Sequence, residues 1–223
     1  MAVVLISYNV LQPEKVERDK IVQSSAHVSY KHLKAQFYVD TLGELVEKKY
    51  RSIRVNKDDF RSEAYYDNLI YVAQADTFIQ KKLSEIIDIP SYTDLDSGTY
   101  FSRDKNNVYF SFSNSGGCTR SIVIGADAKS FKPLSDYRYG MDKENVFYQS
   151  KKIEGLNYSK HQFLYSLDTT DFFISYVKDN NVVFYDGDTL KGADAMSFKL
   201  VSGQRWEAED KYHTYGCCGQ RME

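Results

Sequence analysis

The chain has 223 residues and a formal charge of -2, with 29 Lys and Arg against 31 Asp and Glu, so it lacks the global basic field that a nucleic-acid binder uses to hold phosphates. Its 42% hydrophobic content, 3 Pro and 12 Gly exclude a disordered or collagen-like chain, and its length is enough to bury a core without staples. The compositional outlier is 19 Tyr beside 13 Phe, which suits strands with one buried and one wet face.

In chain order, the apolar run Ala2 to Ile6 is too short for the core of an export leader or for a membrane span, so no transmembrane segment is expected. Residues 14 to 24 and 41 to 50 mix Glu, Lys and apolar residues as amphipathic helices do. Between Asp76 and Pro90, the residues Ile79, Leu83, Ile86 and Ile87 fall near one face, and a helix over 77 to 88 is expected. The same region also reads as a degenerate repeat, Tyr65-Tyr66-Asp67-Asn68-Leu69-Ile70-Tyr71 followed by Ala75-Asp76-Thr77-Phe78.

From about residue 99 a pattern recurs: an acidic turn, a Val-aromatic-aromatic strand, a second short strand, then Gly-Ala-Asp-x-x-Ser-Phe. Asp104-Lys105-Asn106-Asn107-Val108-Tyr109-Phe110 closes on Gly125-Ala126-Asp127-Ala128-Lys129-Ser130-Phe131, and Asp179-Asn180-Asn181-Val182-Val183-Phe184-Tyr185 on Gly192-Ala193-Asp194-Ala195-Met196-Ser197-Phe198. Between them, Asp142-Lys143-Glu144-Asn145-Val146-Phe147-Tyr148 ends on the weaker Gly155-Leu156-Asn157, and Asp210 opens a short last unit. The leading Asp residues are 38, 37 and 31 residues apart. Asp and Asn set turns through their own backbone, Gly permits a left-handed residue, and the closing Phe131 and Phe198 are expected as buried anchors. The expected fold is therefore mainly β with some α: tandem β-hairpin repeats of about 37 residues over 99–223, after a mixed α/β region over 1–98 that holds the degenerate repeat and helices.

The Asp-Lys-Asn-Asn-Val-Tyr-Phe and Asp-Lys-Glu-Asn-Val-Phe-Tyr segments, with the two Gly-Ala-Asp-x-x-Ser-Phe segments, resemble the bacterial DKNYY family over about residues 100 to 215. That family has no assigned function, and the resemblance implies no active site. Its members are bacterial and often exported or lipid-anchored, which implies the periplasm or envelope if a leader has been removed and the cytoplasm otherwise.

Chemistry-bearing signatures are sparse. No Gly-x-Ser-x-Gly elbow, phosphate loop, dinucleotide fingerprint or His-Glu-x-x-His is present, and His27, His32, His161 and His213 show no ligand spacing. No enzyme activity, cofactor, metal or small-molecule ligand is therefore expected; Asp179, Asp186 and Asp188 read as turn residues because they lack the calcium-loop ladder. Cys118 and the pair Cys217 and Cys218 allow three readings: a Cys118 disulfide to either neighbour, three free thiols, or a metal site with His213 whose spacing is poor.

The first unit carries an insertion, since Asp104 to Gly125 spans 21 residues where the two later units span 13. Its polar stretch Ser113 to Arg120 reads as a solvated loop, and loops of this kind often bind. Ser115, Gly116, Gly117, Thr119 and Arg120 are candidate partner-binding residues, with Arg120 as anchor. Trp206 and Tyr212 are candidate recognition aromatics. By analogy with compact, motif-poor repeat proteins, the expectation is a protein-binding immunity protein that neutralises a secreted toxin by covering it, such as a phospholipase delivered by type VI secretion. The alternative is an envelope-associated module that binds glycan or peptidoglycan.

Overall fold

A computed structural model describes residues 28–74, 77–95, 100–114, 117–134, 138–167, 172–201, 207–216 and 219–222. They form five sheets in chain order. The first has the order β1-β2-β3-β4, with β1 (Lys31–Lys34), β2 (Phe37–Val39), β3 (Leu45–Asn56) and β4 (Asp59–Asp67). The second holds β5 (Leu69–Gln74), β6 (Thr77–Lys82), β7 (Thr93–Asp94), β8 (Phe101–Arg103), β9 (Val108–Asn114) and β10 (Gly117–Ile122) in the order β6-β5-β10-β9-β8-β7. A one-turn helix α1 (Leu83–Ile86) follows β6.

The remaining sheets are four-stranded meanders: β11 (Lys132–Pro133) to β14 (Lys151–Lys152) through β12 (Tyr139–Met141) and β13 (Val146–Tyr148); β15 (Gln162–Leu167) to β18 (Asp188–Thr189) through β16 (Phe172–Lys178) and β17 (Val183–Tyr185); and β19 (Lys199–Leu200) to β22 (Arg221–Met222) through β20 (Ala208–Glu209) and β21 (Thr214–Tyr215). The protein is thus a mainly β structure of repeated antiparallel hairpins.

The repeat turns have one geometry. Each leading Asp accepts the N–H groups two and three residues on through Oδ1: Asn106 and Asn107 at Asp104, Glu144 and Asn145 at Asp142, Asn181 and Val182 at Asp179, Tyr212 and His213 at Asp210. Oδ2 reaches outside the turn, accepting the backbone N–H of Asp88, Asp127, Asn157 and Asp194 respectively at 2.7 to 3.0 Å. One carboxylate therefore ties each hairpin to the turn before it, satisfying backbone donors that would be costly to leave unpaired. Gly125, Gly155 and Gly192 take positive φ of 77°, 83° and 81°, the conformation that opens that preceding turn. Phe131 and Phe198 close it and are buried. Tyr92 occupies the same place after Asp88, so a turn of this kind already stands ahead of the first clear unit.

Several N-terminal expectations are corrected. Residues 41 to 50 are not helical; Leu45–Asn56 is a strand paired with β4 from Glu47↔Asp67 to Asn56↔Asp59. The helix expected over 77 to 88 is strand Thr77–Lys82 followed by the single turn Leu83–Ile86. Leu83 and Ile87 are buried, but Ile79 lies on the wet side of a strand whose partner β5 satisfies its backbone. Of the degenerate repeat read over Tyr65 to Phe78, Tyr65 and Tyr66 end β4 in one sheet and Leu69 begins β5 in the next, while Ala75 and Asp76 lie outside the described residues. The expected helix over 14 to 24 lies outside the described residues.

The insertion builds strand rather than loop. It extends β9 and β10 into a hairpin registered from Gly117↔Asn114 to Ile122↔Tyr109. Its second strand also pairs in parallel with β5, Ser121↔Tyr71, so the six-stranded sheet draws strands from both sides of residue 98. The core runs as four buried clusters along the chain, from Phe37, Leu45, Ile70 and Tyr92, through Phe101, Phe110 and Phe131, then Tyr139, Ile174 and Phe184, to Tyr176, Phe198 and Tyr215.

Candidate functional site

The most concentrated polar chemistry lies where β3 faces β10. The period-two alternation of a strand puts Glu47 and Lys49 on one side of β3, and both are buried. Arg120 on β10 meets them: Nε and Nη2 donate to Glu47 Oε1 at 3.2 and 2.7 Å, and Nη1 donates to Ser102 Oγ at 2.7 Å. Its guanidinium also lies 5.5 Å from the Phe37 ring centroid and 5.6 Å from that of Tyr92. Lys49 Nζ is 2.8 Å from Asp67 Oδ2 and 3.7 Å from Glu47 Oε2.

Electrostatics keep all three charged. Burial would raise the Glu47 carboxyl, but Arg120 beside it and Lys49 hold it below the usual carboxylate range. Burial opposes the charge of Arg120 and Lys49 too, and Glu47, joined at Lys49 by Asp67, raises both. Gln36 Nε2 donates to Glu47 Oε1 and to the Tyr92 hydroxyl, which in turn donates to Asp94 Oδ1. Two acceptors on this floor, Glu47 Oε2 and Ser111 Oγ, are buried without a hydrogen-bond partner among the described residues.

Above the floor is a cleft of about 290 Å³. Tyr50 and Tyr100, 54% and 40% exposed, are among the residues that line it, together with Lys48 and Asp94. Cys118 lines it with a free thiol that burial pushes up, which keeps the sulfur protonated and a poor nucleophile. Among the described residues no group of three His, Cys, Asp or Glu side chains could hold a metal ion, and no helix is long and apolar enough to cross a membrane. The arrangement offers fixed charges and two exposed phenols.

The sequence-predicted residues divide accordingly. Arg120, expected as an exposed anchor on a solvated loop, is 2% exposed and points into the protein. Its strand is long enough to pack, and a guanidinium facing Glu47 is compensated inside. Gly117 is likewise buried, beneath the Tyr65 hydroxyl, which accepts the Cys118 N–H at 3.0 Å and donates to the Cys118 carbonyl. Thr119 is exposed on the same strand. Tyr212 is exposed near the C-terminus, with Lys211 Nζ 4.7 Å from its ring centroid. Ser115, Gly116, Trp206, Cys217 and Cys218 lie outside the described residues.

Sequence reasoning missed Glu47, Lys49, Tyr50 and Tyr100. A helical reading of 41 to 50 puts the two charges on a solvated face. The signal that contradicts it is Leu45-x-Glu47-x-Lys49 at strand period, which becomes informative only once Arg120 is placed opposite.

The fold and its latched turns define a tandem β-hairpin repeat protein. Residues 113–176 match the DKNYY family, a stretch that contains the segments Gly125 to Phe131 and Asp142 to Tyr148. Comparison with curated proteins and with solved structures each returned no match.

Proposed function

We propose that the protein is a non-enzymatic protein-binding repeat module whose partner docks over the cleft between β3 and the β8–β9 hairpin. The observation that carries this reading is the combination of exposed Tyr50 and Tyr100 with the buried charges of Glu47, Lys49 and Arg120 along one cleft. Tyr supplies contact area at low entropy cost, and fixed charges along a cleft favour a partner of complementary polarity. The narrower form of the reading is an immunity protein that covers a secreted bacterial toxin; the thiol lining the cleft is held protonated, which suits a binder that acts by occlusion.

The test is affinity capture from the native bacterium with the tagged chain and with a Tyr50→Ala/Tyr100→Ala variant in parallel. The expected result is one stoichiometric partner held by the wild type and bound at least about tenfold more weakly by the variant. Co-expression should also relieve that partner's toxicity. Equal capture by both chains would overturn the cleft as the docking site, and a captured partner that stays fully toxic would overturn the immunity role.

A further inference from the structure

We propose that two copies of this chain pair edge to edge through β4, antiparallel about a two-fold axis at Ser62. This surface is separate from the cleft and does not depend on the cleft's partner.

Strand β4 is hydrogen-bonded to β3 on one side and, among the described residues, is an outer strand of its sheet on the other. Residues 59 to 62 and Ala64 are exposed. Such an edge presents backbone donors and acceptors that a second strand can complete, and proteins often protect it with charged side chains, Lys above all, with Pro or with a bulge. Here the edge carries Arg61 and Glu63, opposite signs two residues apart on one side of the strand, with Phe60, Ser62 and Ala64 on the other.

A two-fold axis perpendicular to the sheet keeps each side facing the same way, so residues opposite one another must share a side. With Ser62 on the axis, Arg61 faces Glu63 of the second copy and Glu63 faces its Arg61. Phe60, 61% exposed, faces the small Ala64, twice over. Glu63 already accepts from Arg51 at 2.9 Å, so Arg61 of the second copy extends that pair into Arg–Glu–Arg on each side. Arg61 itself has no ion-pair partner among the described residues.

The neighbouring registers fail. Centring on Arg61 opposes Arg61 to itself and Asp59 to Glu63, and centring on Glu63 opposes Glu63 to itself. Centring on Phe60 leaves only three residues of β4 in the pair, because the strand begins at Asp59. Centring on Ala64 leaves Glu63 opposite Tyr65, without a cation, and sets Arg61 against Asp67, the last residue of the strand. Opposite charges across a strand pair favour it and like charges oppose it, so the charge pattern selects the Ser62 register.

Sedimentation of the full chain over about 1 to 500 μM tests this, a range suited to a short-edge association of micromolar strength. The wild type should show a concentration-dependent monomer–dimer equilibrium. Arg61→Glu and Glu63→Arg should each weaken it at least about tenfold, because each puts like charges opposite one another. Mixed in equal amounts, the two variants should recover the dimer, since one copy then carries acidic side chains at both positions and the other carries basic ones, and every facing pair is again opposite in sign. Ser62→Lys, which leaves both charged partners in place and sets two ammonium groups on the axis, should also give a monomer. A wild type that stays monomeric throughout, a single reversal that dimerises like the wild type, or a mixture that stays monomeric would each overturn the proposal.

Discussion

Asp210 shows how much one repeat carboxylate carries. Burial alone would raise it, but the N–H groups of Asp194, Tyr212 and His213 and the Tyr215 hydroxyl outweigh that and hold it at about 2. Asp179 is lowered by the same kind of contact, from Asn157, Asn181 and Val182, against its burial. A carboxyl depressed by folding adds stability that is complete above its unfolded value near 3.9 and is lost as pH falls through the folded value. Urea unfolding should therefore show stability dropping between about pH 4 and pH 2, and Asp210→Asn should remove about 1–2 kcal/mol of that dependence. Arg120 is the opposite case, a buried cation whose removal strands Glu47. Arg120→Met should cost about 3–5 kcal/mol in the same measurement, while Glu47→Gln/Arg120→Met, which leaves no buried charge unpaired at that contact, should recover much of it.

Three of the four repeat turns are closed a second time by side chains, and the fourth shows a substitution that keeps its own balance. Lys105 pairs with Asp88, Lys143 with Asp127 and Lys211 with Asp194, and the hydroxyls of Ser91, Ser130 and Ser197 accept the N–H of those same three lysines. At the fourth place both charges are gone together: Asn157 stands for the Asp and Asn180 for the Lys. Asn157→Asp/Asn180→Lys should restore the pair and raise stability by about 0.2–1 kcal/mol, with Asn180→Lys alone giving less, as a double-mutant cycle would read. These turns were legible in the sequence because their partners lie within about twenty residues and their signals are local: Asp before a Val-aromatic run, a left-handed Gly, a closing Phe. The N-terminal elements were not. Glu47 and Lys49 are solvated residues on a helix and interior residues on a strand, and only Arg120, 73 residues away, decides between them. The insertion read as a loop for the same reason, since its polar sequence hides that β5 waits alongside to pair with it.

At the scale of the whole molecule, the four core clusters follow one another along the chain. Phe131 of one turn packs at a tilt between Phe101 and Phe147, and Phe198 packs between Tyr176 and Tyr215, so each plug bridges two consecutive hairpins. Arg103 and Lys178 add a forward tie, donating to carbonyls of the following turn at Ala128 and Lys129, and at Ala195 and Phe198. Couplings between neighbours make stability nearly a sum of unit and interface contributions, and such arrays lose cooperativity over distance. The N-terminal part is bound differently: β10 belongs to the first repeat hairpin yet pairs with β5 and reaches Glu47 through Arg120, which joins the first two sheets across long sequence separations. Phe198→Ala should therefore cost about 3–5 kcal/mol locally without loosening the whole chain. Amide hydrogen exchange should show protection lost at 183–185 and 208–215 while 45–47 and 101–110 keep wild-type protection. Uniform loss along the chain would instead mean that the sheets unfold as one unit.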